Sequence, residues 1–170
     1  MRAVNAMKTS SNIKISPARA VDALLIAELS RDLIETGLGW RWRASRVLAM
    51  MREPECVVLT ARTGETMMAF AIMEFHATHA HLNLLATAAA HQRRGHARRL
   101  LDWLVDSARI AGLERIIVEV RADNAKALAY YANLGFTCKR RLVGYYAGRE
   151  DALQLVRLLM DPKTAAGRPL

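Results

Sequence analysis

The chain has 170 residues, with lysine plus arginine at 25 and aspartate plus glutamate at 16, a formal net charge of +9. Hydrophobic residues make up 52% of it and charged residues 24%, the balance of an ordinary globular domain and not of a disordered chain. Two cysteines without paired spacing, Cys56 and Cys138, exclude a disulfide scaffold and a cysteine-based zinc module, and no apolar run approaches the ~18 residues of a membrane span.

No apolar signal region opens the chain, so the expected setting is cytoplasmic, with no membrane partner. The positive excess is mostly arginine. It fits nucleic acid, an anionic cofactor or an acidic target, and equally a plain solvated basic surface.

Residues 1–11 read as a polar tail, 12–160 as one domain and 161–170 as a second tail closed off by Pro162. Ile13 and Ile15 alternate with polar residues in a short strand. Ser16-Pro17 reads as an N-cap with proline in the first helical turn, and Val21, Leu25, Leu29 and Leu33 as the apolar stripe of a helix that stops near Gly37. A loop with Trp40 and Trp42 leads to a short helix over 44–52, ended by Pro54.

Residues 56–61 and 66–75 form a hairpin about Thr63-Gly64, and 81–87 a third strand of this group. The period then changes: Ala97, Leu100, Leu101, Leu104, Val105 and Ala108 share one helical face. A strand over 115–121, a helix over 124–133 and a hairpin of 136–142 with 151–159 complete a mixed α/β domain of order β-α-α-β-β-β-α-β-α-β-β.

Chemistry concentrates where the third strand of the middle group runs into a helix, Leu85-Ala86-Thr87 through Gln92-Arg93-Arg94-Gly95-His96-Ala97. Small residues let backbone approach a ligand, and a helix N-terminus offers unpaired N–H groups and partial positive charge. Arg93, Arg94, Arg98 and Arg99 add formal charge, so the junction suits a pyrophosphate. A Walker loop and a Rossmann fingerprint are excluded, because neither Gly-Lys-Ser/Thr nor a glycine triplet is present.

Gln92-Arg93-Arg94-Gly95-His96-Ala97 resembles the pyrophosphate loop of the GNAT superfamily of acetyl-CoA-dependent N-acetyltransferases. Asn124 through Tyr130-Tyr131 to Gly135-Phe136 resembles that superfamily's second signature. The resemblance implies a mixed central sheet of about seven strands flanked by about four helices. It also implies acetyl-CoA as co-substrate, held by Leu85, Ala86, Thr87, Gln92, Arg93, Arg94, Gly95, His96, Ala97, Arg98, Asn124 and Tyr131.

Val118-Glu119-Val120-Arg121 and Gly144-Tyr145-Tyr146 are similar to the RimI-type enzymes, which acetylate the N-terminal amine of a ribosomal protein. That similarity implies Glu119 as base, Tyr131 as acid, and Tyr145 and Tyr146 as residues that hold the acceptor. Trp40 and Trp42 fall in the region that lines the superfamily's acceptor channel, or equally pack over the edge of the core. The loop after Tyr146 has one residue before Gly148, shorter than is usual in that subfamily.

The chemistry fits these residues on its own terms. Attack on a thioester needs a neutral amine; an α-amine has a pKa of about 8, so a carboxylate acting directly or through water can help to remove its proton. A phenol can protonate the departing thiolate. The plain alternatives are a Glu119 paired with Arg121 on the surface and a Tyr131 that is only a half-buried aromatic, with Tyr130 competing for its role.

His76, His79 and His81 straddle a turn without cysteine or paired carboxylates, a poor metal set, and no metal is expected. The leading expectation is acetyl transfer to a primary amine, foremost a peptide or ribosomal-protein N-terminus, by a monomer or homodimer that binds no specific nucleic acid. A small-molecule amine, such as a polyamine or aminoglycoside, stands as the alternative acceptor. A basic nucleic-acid-binding module is the alternative of another class, though no helix-turn-helix, RNP or zinc motif supports it.

Overall fold

A computed structural model describes residues 13–159; the expected tails lie outside the described residues. The elements in chain order are β1 (Lys14–Pro17), α1 (Ala23–Leu33), α2 (Ala44–Arg52), β2 (Cys56–Thr63), β3 (Thr66–Phe75), β4 (His79–Thr87), α3 (His96–Ile110), β5 (Arg115–Arg121), α4 (Ala125–Asn133), β6 (Thr137–Tyr146) and β7 (Glu150–Leu158). They follow the order the sequence predicts. The strands form one seven-stranded sheet, β1-β2-β3-β4-β5-β7-β6. Every pair is antiparallel except β4 with β5.

Two apolar clusters show how the sheet is covered. Leu100, Leu101, Leu104 and Val105 of α3 and Tyr131 of α4 pack with Ile116, Val118 and Val120 of β5 on one face. Ala23, Ile26 and Ala27 of α1 and Val47 of α2 pack with Phe70, Ile72 and Leu84 on the other. Strict alternation along β5 therefore sends Ile117, Glu119 and Arg121 toward α1 and α2.

Three local expectations at the first helix are corrected. Pro17 does not open a helix; it ends β1 opposite Leu59, on an edge strand where a missing N–H is tolerated. The chain turns through a 3-10 segment at Ala20–Asp22, where the Asp22 carboxylate accepts the Arg19 backbone N–H at 2.8 Å. The stripe Val21, Leu25, Leu29 and Leu33 is not the buried face: Val21 is 78% exposed, and Ala23, Ile26, Ala27 and Ser30 go inside. Small residues at three of those positions, Ala23, Ala27 and Ser30, let the helix lie close to the sheet. The helix also ends at Leu33, ahead of Gly37.

The parallel pair β4–β5 shapes the site. Its register runs only through His79↔Arg115, Ala80↔Ile116 and His81↔Ile117. Beyond His81 the strands part, β4 staying with β3 as far as Thr87 and β5 staying with β7. A bulge sits at the parting: the β3–β4 register steps from Met73↔Leu82 to Ile72↔Leu84, leaving Asn83 without a partner. The edge of β4 from Leu82 to Thr87 is thereby left unpaired by β5, and a cleft opens between the two strands.

Candidate active site

Two cavities occupy this cleft and meet at Glu119. The first has a volume of about 440 Å³ and is lined by the end of β4, the start of α3, the end of β5 and α4. The second, of about 360 Å³, is lined by the α1–α2 segment, His81 to Leu84 of β4, and Tyr145 to Ala147. Glu119 and Tyr146 line both.

The first cavity is built around the N-terminus of α3. Gly95 caps the helix with φ +78°, and Arg93 also takes a left-handed φ of +61°. A side chain at Gly95 would find open space but a strained backbone. The Gln92 side-chain amide donates to the Thr87 carbonyl at 3.3 Å and closes the loop. The first intrahelical bond runs from the Arg99 N–H to the Gly95 carbonyl, so the N–H groups just ahead of it are surplus. No acidic residue stands in the first turn to occupy them. Surplus donors and uncompensated positive charge suit an external anion.

Of the residues expected around a cofactor, Leu85, Ala86, Thr87, Gln92, Arg93, Gly95, His96, Ala97, Arg98, Asn124 and Tyr131 all line this cavity. Arg94 does not; it is exposed and outside the lining. His96 contributes no formal charge. It is 4% exposed, its ring nitrogens have no partner, and burial pushes its pKa down. Asn124 caps α4, its side-chain oxygen accepting the Ala127 N–H at 3.1 Å. Tyr131 is buried, and burial first, then Tyr130 and Tyr146, push its phenol well above the ordinary value, so it keeps its proton at neutral pH. The neighbouring Tyr130 hydroxyl is buried without a partner, its pKa pushed up to about 12.

The second cavity is held by side chains from distant segments. Glu35, 6% exposed, accepts the backbone N–H groups of Arg41 (2.8 Å) and Trp42 (3.2 Å) and the Ser30 hydroxyl (3.2 Å), fixing the loop between α1 and α2. Arg121 donates to the Ile34 and Thr36 carbonyls and pairs with Glu150 at 3.4 Å, tying that loop to β5. Of the residues expected to hold the acceptor, Trp42, Tyr145 and Tyr146 line this cavity. Trp40 does not. Its indole N–H donates to the Ala27 and Trp42 carbonyls at 3.1 Å, and the Arg31 and Arg43 guanidiniums lie over its ring.

Glu119 sits between the cavities and is not paired with Arg121. Its Oε1 accepts the Gln154 side-chain amide at 2.9 Å, and its Oε2 is hydrogen-bonded to His81 Nε2. The register explains both: Gln154 is the cross-strand neighbour of Glu119, and Glu119 is the next same-face residue after Ile117, the partner of His81. The Tyr146 hydroxyl donates to the Glu119 backbone carbonyl at 3.3 Å. Burial pushes the Glu119 carboxyl up, but the bonds from His81 and Gln154 outweigh it and hold the pKa below the ordinary value. The bond to Glu119 leads in raising His81, against burial.

His81 and Glu35 are the residues that sequence reasoning missed. Alternation sends His81 to the face of Glu119, while His76 and His79 stack with each other at 4.7 Å. Among the described residues no three His, Cys, Asp or Glu side chains converge as a metal site.

Residues 25–136 match the acetyltransferase (GNAT) family. The chain belongs to that family. It is 40% identical over 90 residues to the ribosomal protein bS18-alanine N-acetyltransferase of Escherichia coli K12, a stretch of 51% of this chain and 61% of that relative's length. The match thus spans about three fifths of the curated relative. Over 82 residues it is 32% identical to the catalytic subunit of the N-terminal acetyltransferase B complex of Arabidopsis thaliana, covering 48% of this chain and 47% of that one.

Among solved structures, the Escherichia coli ribosomal-protein-S18-alanine N-acetyltransferase superposes with a TM-score of 0.74 at 27% identity, over 88% of this chain and 95% of that one. Ard1 of Thermoplasma volcanium shares the fold, with a TM-score of 0.77 at 20% identity over 88% and 99%. Among the described residues of this GNAT chain, no helix is long and apolar enough to cross a membrane.

Proposed function

We propose that this GNAT chain transfers an acetyl group from acetyl-CoA to the N-terminal amine of a protein. The observation that carries the reading is the meeting of two unlike cavities at one carboxylate. The first supplies surplus N–H groups at α3 and an unpaired edge of β4, the recognition elements of a pyrophosphate with an extended amide arm. The second supplies Trp42, Tyr145 and Tyr146 about a space of a few residues' size. The curated relatives that act on protein N-termini support the choice of acceptor.

In this reading Gly95 lets a pyrophosphate approach the backbone, while Arg93 and Arg98 neutralise it. Asn124 and the end of β4 hold the remainder of the co-substrate. Glu119, ionised and hydrogen-bonded to His81 at the junction, belongs to the basic centre that draws a proton from the acceptor amine. Tyr131, protonated at neutral pH, delivers a proton to the departing thiolate. A ribosomal-protein N-terminus in the cytoplasm is the acceptor to try first. Release of CoA is measured against peptides beginning with alanine, serine or methionine, beside spermidine and an aminoglycoside. The reading predicts acetylation of the peptide α-amine. Exclusive acetylation of the small amines moves the acceptor to that class. Absence of CoA binding overturns the acetyl-transfer reading altogether.

A further inference from the structure

We infer that His81 is the group on which the acceptor's proton comes to rest, with Glu119 holding the imidazole instead of serving as the terminal base. This inference rests on the acetyl-transfer reading and deepens it.

Both oxygens of Glu119 are already engaged, Oε1 by Gln154 and Oε2 by His81. Protonating either would disrupt a bond that stabilises the carboxylate, so Glu119 is a poor destination for a proton. His81 is placed the opposite way. Its Nε2–H is spent on Glu119, which leaves Nδ1 as the lone-pair nitrogen. The side chain is 26% exposed and lines the acceptor cavity.

The bulge residue Asn83 completes the arrangement. Its amide N–H donates to Glu74 at 2.7 Å, and its side chain favours the charged imidazole. Gln154 of β7, Glu119 of β5 and His81 of β4 thus form one hydrogen-bonded chain, and Asn83 of β4 with Glu74 of β3 forms a second pair that acts on the same imidazole. A carboxylate that orients an imidazole and stabilises its cation is a general arrangement for proton removal.

Glu119 and Glu74 raise the His81 pKa, and burial opposes them. His79 stands on the same strand. Glu35, Arg41 and Arg46 of the α1–α2 segment and Tyr145 and Tyr146 of the β6–β7 end face it across the cavity. The balance holds the His81 pKa above the ordinary imidazole value, whereas Glu119 is held below the ordinary carboxylate value.

The acceptor ammonium gives one proton to Nδ1 of neutral His81. Its lone pair forms the C–N bond to the acetyl carbonyl carbon, and collapse of the tetrahedral intermediate breaks the C–S bond. The thiolate takes the second amine proton through the Tyr131 hydroxyl, and His81 returns the first to solvent.

The test uses His81→Gln, which keeps an amide donor for Glu119 but has no basic nitrogen, and Glu119→Gln. CoA affinity by calorimetry, kcat on the fastest peptide of the panel, and the NMR titration of the His81 ring are measured together. His81→Gln is expected to bind CoA like the wild type and to lose ~10²–10⁴ in kcat at pH 7. Glu119→Gln is expected to lower the His81 midpoint, because its leading raising partner is gone while burial remains, and to move the acidic limb of kcat down with it.

A His81→Gln chain within about threefold of wild-type kcat overturns the inference and leaves the acetyl-transfer reading intact. If His81→Gln does not fold, the Glu119→Gln arm decides: an unmoved midpoint or limb overturns the inference. A wild type that binds CoA yet acetylates no amine breaks the underlying reading, and the inference falls with it.

Discussion

The two cavities that meet at Glu119 are built by different means. The first, the proposed donor side, is largely backbone: a left-handed Gly95, surplus N–H groups of α3, and a strand edge freed where β4 parts from β5. The second, the proposed acceptor side, is side chains drawn from segments far apart in sequence, with Glu35 pinning one wall and Tyr145 and Tyr146 forming another. A backbone site depends on spacing and small residues, so it tolerates change in the surrounding side chains. A side-chain site can be rebuilt one residue at a time, which suits recognition of one acceptor among many.

The largest expected effect lies at Tyr131, in the first cavity. Tyr131→Phe removes only a hydroxyl, so fold and CoA affinity should survive while turnover falls by ~10²–10⁴. Tyr130→Phe, one position round the helix, should cost far less. Steady-state kinetics on one peptide compares them, and the reverse order would move the acid to Tyr130.

Next in size is Gly95→Val. The φ of +78° is strained for a β-branched residue, and relaxing it turns the N–H groups away from the ligand. CoA affinity by calorimetry should fall at least about tenfold, ~1.4 kcal/mol, with peptide KM little changed. A folded variant with wild-type affinity would break the backbone account of the donor side.

The acceptor side should give the complementary result. Glu35→Ala leaves the buried donors at Trp42 and Ser30, and the Arg41 N–H beside them, without their acceptor, at a cost of roughly 1–3 kcal/mol in stability. Peptide KM should rise while CoA affinity holds. Denaturant titration and paired KM and Kd measurements check both halves.

The smallest effect belongs to Arg94→Ala. Arg94 is exposed and outside the donor cavity, so CoA affinity should stay near wild type even at low salt, whereas Arg93→Ala and Arg98→Ala should weaken it most at low ionic strength.

The same contrast decides what was legible in the sequence. Element order and the α3 junction could be read because they follow from local periodicity, glycine placement and small residues near one another in the chain. The burial face of α1 could not: Val21, Leu25, Leu29 and Leu33 have perfect i, i+4 spacing, yet Ala23, Ile26, Ala27 and Ser30 fit closer to the sheet. Tertiary packing chose the smaller face.

His81 looked like one of three scattered histidines. Its bond to Glu119 depends on the β4–β5 register, which places Ile117 opposite it and Glu119 one same-face step beyond. Glu35 gave no signal at all, since its partners are backbone N–H groups several residues downstream. Arg94 and Trp40 had the right neighbours in sequence and point elsewhere in space.

The most direct test of the two-cavity account is a bisubstrate: CoA joined through its acetyl group to the α-amine of an alanine-first peptide, titrated by calorimetry against the wild type, Gly95→Val and Tyr145→Ala. The account predicts that the conjugate binds the wild type more tightly than CoA alone, and that each substitution removes part of that affinity, Tyr145→Ala without weakening CoA itself. A conjugate that binds no better than CoA, or whose advantage survives Tyr145→Ala in full, would contradict the assignment of the second cavity to a peptide N-terminus.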